Sequence, residues 1–498
     1  MQKIIFVLVL IVHFCRGIIY RLNDEMYNKM PPVFQFEDYE PCMSEPDGVY
    51  CMTKFALVSD TNSELLNMIH NFSKHQVRHY NHSKLHYGVC LTTTCAEYYY
   101  NGDENRDLRV YDILPYHTFI NGTLVVQVFF LMTGFLLAFT VQMKSEKMNF
   151  TWVMIPIEIC RRWLRLTPVY AVVLAITSTW LRFFGSGPMW NEEVVKEAED
   201  CRCIAWRNLL YINNYFDDKQ CLVQAWYLAA DMQLYCLGVF ICLMVTNSTV
   251  RKVVLSLLFA AGVIIPAVVT YVKDLDAVLI VSPETCIHYF IKDPTFNYVY
   301  KRGHTNLAGF IIGLSMGYIT YHLLRINFNV EKYKKHLWIY QLLFPTTLII
   351  AWLGSVFFRD APRDSIYIRA LYAGIMKPVS TLLLALFILG AIFKCDKITR
   401  NILEWRRWVT PARLSYSAYV LHLSVIRTYI GTSETQTNAL FLNMAFTSIS
   451  MVILAFLLAT PLWLLVEAPA NELVRMTFSL LIGAQETKKT DGVRLKIT

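Results

Sequence analysis

Three arginines crowd the stretch Arg161-Arg162-Trp163-Leu164-Arg165, immediately ahead of an apolar run that begins at Leu166. A guanidinium is permanently charged and presents a planar fork of donors suited to phosphate or carboxylate. At a bilayer edge it can also anchor a helix on the cytoplasmic side. The trio is therefore either a phosphate clamp or an anchor. A second set is Tyr227, Asp231 and Tyr235, which recur every four residues and so share one helix face. A carboxylate between two phenols is either a hydrogen-bonded packing node or part of a polar cavity. Ser415, Tyr419 and His422, spaced by four and three, form a third set on one face. An imidazole can act as general base or as hydrogen-bond donor, although a lone histidine in a bundle more often bridges helices. A fourth is Lys301-Arg302-Gly303-His304, followed by Gly309, Gly313 and Gly317, whose four-residue spacing favours close helix approach in a membrane.

The elements that must hold these residues follow from composition. Of 498 residues, 55% are hydrophobic and only 17% charged, and the mean hydropathy is +0.37. That balance describes a polytopic membrane protein rather than a soluble domain. The net charge of +8 is spread over short clusters between apolar runs, which speaks for positive-inside topology and against a nucleic-acid partner. Apolar runs at residues 123–143, 166–184, 224–246, 252–272, 305–324, 337–358, 367–393, 413–431 and 440–466 predict about nine spans. If the first enters from the lumen, the loops holding Lys144, Arg161, Arg251, Arg325 and Lys394 become cytoplasmic, and the acidic 185–223 loop becomes lumenal. The expected fold class is an all-α polytopic membrane bundle of about nine spans with a small disulfide-bonded amino-terminal lumenal domain.

Residues 1–17, with Lys3 ahead of a short apolar run and Gly17 after it, read as a signal peptide. Residues 18–121 form the cysteine-containing lumenal domain, 122–470 the transmembrane domain, and 471–498 a cytoplasmic tail. The disulfide candidates are Cys42, Cys51, Cys90 and Cys95, then Cys201, Cys203, Cys221 and Cys286. Cys42 with Cys51 and Cys90 with Cys95 is one of three pairings of the first four. Sequons mark Asn71 and Asn81 as glycosylation candidates. No His and Cys pairs have metal-ligand spacing, and neither a Gly-x-x-x-x-Gly-Lys loop nor a Gly-x-Ser-x-Gly elbow occurs.

The order of motifs carries a resemblance. Val126 to Leu136 with Phe129-Phe130 and Thr133-Gly134-Phe135 comes first, then Arg161-Arg162-x-x-Arg165-x-x-Pro168-x-Tyr170 and Gly187-Pro188-Met189-Trp190. Asn213-Asn214-Tyr215, Cys221 and Trp226-Tyr227-Leu228-Ala229-x-Asp231-Met232-Gln233 follow, then Arg302 with Gly309, Arg413-Leu414-Ser415-Tyr416-x-Ala418-Tyr419-x-Leu421-His422, and Glu467-x-Pro469. This series resembles the nose-resistant-to-fluoxetine proteins, animal members of the type-3 membrane acyltransferase superfamily.

The resemblance implies transfer of an acyl group other than an amino-acyl group from acyl-CoA to a hydroxyl acceptor, in a multi-pass membrane protein of the endoplasmic reticulum or plasma membrane. Acyl-CoA would be a co-substrate, with no bound cofactor or metal, and the partners would be membrane lipids, acyl-CoA and an unspecified acceptor. Arg162 and Arg165, with Arg161 beside them, would hold the CoA phosphates, and Tyr227, Arg302, Arg413, Ser415 and Tyr419 would line the polar site. The base in the family is a histidine about ten residues after an arginine, in a span ahead of the Phe-Phe span. Here residues 96–122 carry Asp103, Glu104, Arg106, Asp107 and Arg109, too many charges for a bilayer helix, and His117 reads as a loop residue after Pro115. That leaves His422 and Asp231 as the candidate acid–base groups. Gln127 also stands where the family usually carries Asp, Lys377 where Arg is usual, and Thr305-Asn306 where Pro-Tyr is common. The second expectation is accordingly a catalytically inactive protein that binds or transports lipid or another hydrophobic small molecule.

Overall fold

The computed structural model describes residues 24–27, 29–44, 50–58, 63–74, 80–90, 122–146, 151–281, 285–286, 289–328, 337–354, 357, 363–433 and 441–479. The expected leader, Cys95 and His117 lie outside them.

Upstream is a small α/β unit. Strands β1 (Phe34–Phe36), β2 (Tyr50–Ala56) and β3 (Lys84–Cys90) form a sheet of order β1-β3-β2, with β1 parallel and β2 antiparallel to β3. Helix α1 (Glu64–Ser73) is capped by the Ser63 hydroxyl and contributes Ile69 and Phe72, which pack with Met30 into a local core. The cystine here joins Cys42 to Cys90, not to Cys51, whose thiol is free. The register explains it: Tyr50 stands opposite Cys90 and Cys51 opposite Val89, so Cys51 points to the other face of the sheet. Asn71 is exposed on α1, and Asn81 lies half-buried ahead of β3, its side-chain oxygen accepting from the Ser83 backbone and hydroxyl.

The remainder is helical: α2 (Gly122–Ser145), α3 (Met154–Thr179), α4 (Lys196–Leu209), α5 (Trp226–Met244), α6 (Ser248–Val272), α7 (Leu307–Arg325), α8 (Leu337–Leu353), α9 (Ile366–Ile392), α10 (Val409–Thr432) and α11 (Phe441–Leu462). Among the described residues six helical segments are long and apolar enough to cross a membrane, so this is a multi-pass helical membrane protein. The other three of the nine expected spans also form helices but fall short of that standard. Helix α3 carries Glu158 and three arginines, α10 carries Arg413 and Arg427, and α8 has 17 residues.

Two boundaries move. Helix α3 begins at Met154 rather than near residue 166, so the arginine trio sits within the helix instead of at its mouth. The last helical run continues through a π turn at Trp463–Glu467 as far as Ser479, beyond residue 466, the expected end of the ninth apolar run.

The glycine repeat does what its spacing suggests. A Cβ on Gly313 would meet the Leu131 carbonyl, and one on Gly317 the Phe135 carbonyl at 2.7 Å, so α7 lies directly against α2. Phe130, Phe310, Leu314, Leu234 and Val239 close the core where α2, α5 and α7 meet.

A second disulfide, Cys201–Cys221, ties α4 to the segment entering α5. Cys203 and Cys286 are free and exposed. Positions 201 and 203 lie on opposite sides of an α-helix, so burying Cys201 turns Cys203 outward. Removing the cystine with Cys201→Ser and Cys221→Ser is expected to lower unfolding free energy by about 2–4 kcal/mol, read from thermal unfolding in detergent.

Candidate functional site

The centre of the bundle is built where α3, α5 and α10 converge. The spacing of Tyr227, Asp231 and Tyr235 on α5 does place all three toward a common side, and α3 supplies the counter-charge. An Arg162 Nη2 donates to Asp231 Oδ2 in a close ion pair, and the guanidinium lies 4.2 Å over the Tyr235 ring. Asp231 is 3% exposed. Burying such a pair costs solvation, and good geometry with further hydrogen bonds is needed to offset it. Here both partners keep a free valence: Asp231 Oδ1 and Arg162 Nε are buried and have no hydrogen-bond partner among the described residues.

Beside them runs an aromatic relay. The Tyr227 ring is 4.9 Å from Phe130 on α2 and 5.9 Å from Tyr419 on α10. The Tyr419 hydroxyl donates to the Gln224 carbonyl at 2.5 Å, and Gln224 in turn donates to the Val420 carbonyl at 2.8 Å, locking α10 onto the start of α5. His422 Nδ1 lies 2.6 Å from the Tyr419 carbonyl oxygen. A carbonyl can only accept, so Nδ1 carries the hydrogen and, in the neutral ring, Nε2 keeps its lone pair. The ring centroids of Tyr419 and His422 are 5.6 Å apart. Tyr416 donates to the Leu166 carbonyl at 2.7 Å and Ser417 to Glu467 at 2.5 Å, so α10 is also tied to α3 and to the end of the last apolar run.

The arginine trio divides. Arg161 is half-buried, 3.8 Å from Glu158, whose carboxylate also takes Lys144 at 3.1 Å, and Arg165 is exposed. Only Arg162 turns inward. Of the remaining residues expected to line the site, Tyr227 and Tyr419 are there. Arg413 and Ser415 are not; both are exposed, and Ser415 donates to the Ala412 carbonyl one turn back on its own helix. Arg302 belongs to a separate network, held by Asp217 at 2.8 and 3.1 Å and donating to the Asn297 carbonyl. Lys301 shares that carboxylate at 2.8 Å. Burial pulls the Lys301 ammonium below the usual lysine range, and Asp217 opposes it.

Two departures from the family pattern turn out to be neighbours. Gln127 Nε2 on α2 donates to Asn306 Oδ1 at 2.7 Å, and the same oxygen lies 3.3 Å from Lys377 Nζ on α9. Lys377 is buried and has no carboxylate partner among the described residues. An aspartate at 127 would have brought a negative charge to this spot. Glutamine brings none, so the Lys377 cation rests on dipoles alone.

A further buried cluster has one weak sequence signal, an arginine inside an apolar run. Arg427 on α10 pairs with Glu197 at 3.3 Å, donates to the Glu193 carbonyl at 3.1 Å and lies 3.8 Å over the Tyr289 ring. Tyr289 donates to Glu193 at 2.6 Å. Burial raises both carboxyl groups above the usual range, and Arg427 works against it. The position of Arg427 near Glu193 and Glu197 depends on a contact more than 200 residues apart in sequence, which spacing does not reveal.

The family model described as an acyltransferase domain matches residues 95–466, well over half of the chain. "Nose resistant to fluoxetine protein 6" of Caenorhabditis elegans is 26% identical over 429 residues, 78% of this chain and 50% of the relative. The chain belongs to the nose-resistant-to-fluoxetine branch of the type-3 membrane acyltransferases. "Regulator of hypoxia-inducible factor 1" of the same organism is 25% identical over 376 residues, 71% of this chain and 69% of that protein. This member of the branch spans half the length of the first of these relatives. No solved structure shows a significant match.

Proposed function

We propose that the chain transfers an acyl group from acyl-CoA to a hydroxyl acceptor at the junction of α3, α5 and α10. The reading rests on one observation: a buried carboxylate oxygen and guanidinium nitrogen, Asp231 Oδ1 and Arg162 Nε, lie unpartnered beside the Tyr227, Tyr419 and His422 relay. Buried polar atoms are almost always bonded, so an orphaned donor and acceptor side by side suit a substrate that has both a carbonyl and a hydroxyl. In this scheme the acceptor hydroxyl is oriented by Asp231 and gives its proton to His422 Nε2. Its oxygen attacks the thioester carbonyl carbon, whose developing negative charge faces Arg162. The C–O bond forms, the C–S bond breaks, and the CoA thiolate recovers the proton from the imidazolium. Arg165, which is exposed, is the residue free to meet the CoA phosphates from the Lys- and Arg-rich end, with Arg161 beside it on Glu158. By the positive-inside rule that end is cytoplasmic, and the two cystines favour an oxidising lumen for the other.

The test is transfer from radiolabelled acyl-CoA in membranes containing the protein, with lipid, sterol and sugar acceptors. Arg165→Ala is expected to raise KM for acyl-CoA about tenfold, or ~1.4 kcal/mol, with kcat little changed. Background transfer by the wild-type chain with every acceptor would remove the enzymatic reading.

A further inference from the structure

We propose that the wedge between α6, α7 and α9 binds an anionic glycerophospholipid drawn from the surrounding bilayer. None of its residues belongs to the proposed transfer centre, so the inference stands apart from acyl transfer.

The wedge exists because three helices touch at one end and part at the other. Gly374 of α9 rests against α6, where a Cβ would come within 2.8 Å of the Val263 carbonyl oxygen and 3.0 Å of the Ala267 methyl. Gly262 of α6 lies as closely on Ala308 of α7. Toward the opposite ends of these helices the side chains are large, and a cavity of about 790 Å³ opens. Leu255 and Phe259 form one wall, Leu382 and Leu386 the other, and Ile312 and Met316 the floor. That volume falls within the roughly 300–1,000 Å³ typical of ligand sites.

Two features identify the occupant. First, the lips are apolar and open sideways: Phe259, Leu382 and Leu386 are 38%, 49% and 44% exposed on surfaces of spanning helices. An acyl chain already in the bilayer can enter without crossing water. Second, the mouth is cationic, ringed by Arg251, Lys252 and Arg325, with His322 beside them. Arg251 is steadied over the Tyr318 ring at 4.2 Å. Among the described residues none of the three cations has an ion-pair partner, and the nearby Glu146 carboxylate accepts from the Tyr321 hydroxyl at 2.5 Å. Unpaired guanidinium and ammonium groups above an apolar slot match a phosphate head with a fatty tail.

The experiment uses the full chain in phosphatidylcholine nanodiscs with a trace of phosphatidic acid carrying a photoreactive diazirine in its acyl chain. Labelled peptides are expected to map to the walls and floor around Phe259, Met316 and Leu386. Labelling should fall at least about fivefold, ~1 kcal/mol, in an Arg251→Gln, Arg325→Gln double variant and persist in the corresponding double lysine variant. Ser315→Trp, which fills the floor, should abolish it. A phosphatidylcholine probe should label about fivefold less, and thermal unfolding of each variant checks that it folds. Equal labelling by both probes, or no loss in the double glutamine variant, would mean that bulk lipid merely wets the wedge and would overturn the proposal. So would complete competition by micromolar palmitoyl-CoA, which would make acyl-CoA the occupant.

Discussion

Asp231→Ala is expected to cost the protein about 3–5 kcal/mol of stability, because it strands the Arg162 guanidinium inside the bundle without its counter-charge. Few other single changes within the core combine burial, charge and one dominant partner in this way. The Tyr235 ring under the guanidinium offsets only a small part of the loss, since a cation over a ring contributes about 0.5–2 kcal/mol whether or not the carboxylate is present. Thermal unfolding in detergent reads the effect directly. An apolar pair, Arg162→Met with Asp231→Leu, is expected to recover most of the stability, because replacing both charges removes the desolvation cost together with the attraction. Acyl transfer should stay lost in the double variant. That separation distinguishes a structural ion pair from one that also meets substrate. If the double variant both folds and transfers acyl groups, the pair is only structural.

On the proposed mechanism, His422→Gln is expected to lower the transfer rate by about 10²–10⁴-fold, the usual contribution of a positioned proton acceptor. The substitution keeps a side-chain amide that can donate to the Tyr419 carbonyl, so the local hydrogen bond on α10 need not be lost. Removal of that bond altogether would cost about 0.5–1.5 kcal/mol. Stability should therefore change little while the rate collapses, and KM for acyl-CoA should hold because His422 does not meet the phosphates. Unchanged turnover in His422→Gln would place the proton acceptor elsewhere and leave the imidazole as a bridge between helix turns.

Much of this arrangement is legible in the sequence. The four-residue spacing of Tyr227, Asp231 and Tyr235 gave a shared face, and that of Gly309, Gly313 and Gly317 a close helix approach, because both follow from helical periodicity, whereas that α2 is the helix approached came only from the packing. The same periodicity misled at α10. Ser415, Tyr419 and His422 do recur at helical spacing, yet Ser415 is exposed while its neighbour Ser417 is buried on Glu467. A helix with polar residues on several sides does not declare which side its neighbours will cover. The arginine trio shows the same limit, since only packing against α5 selects Arg162 for Asp231 and leaves Arg161 and Arg165 outside.

Sequence by itself determined the class: apolar runs long enough to span, charge confined between them, and an ordered set of motifs that identifies the branch. These properties are local or additive along the chain, so composition and period suffice. Tertiary structure alone decided the partners. Pairing Arg162 with Asp231, Arg427 with Glu197, Cys42 with Cys90, and Gln127 with Lys377 through Asn306 joins positions far apart in sequence. Each partner is set by how helices and strands cross, and in a low-dielectric interior that crossing determines which charges are compensated and which atoms remain open to a substrate.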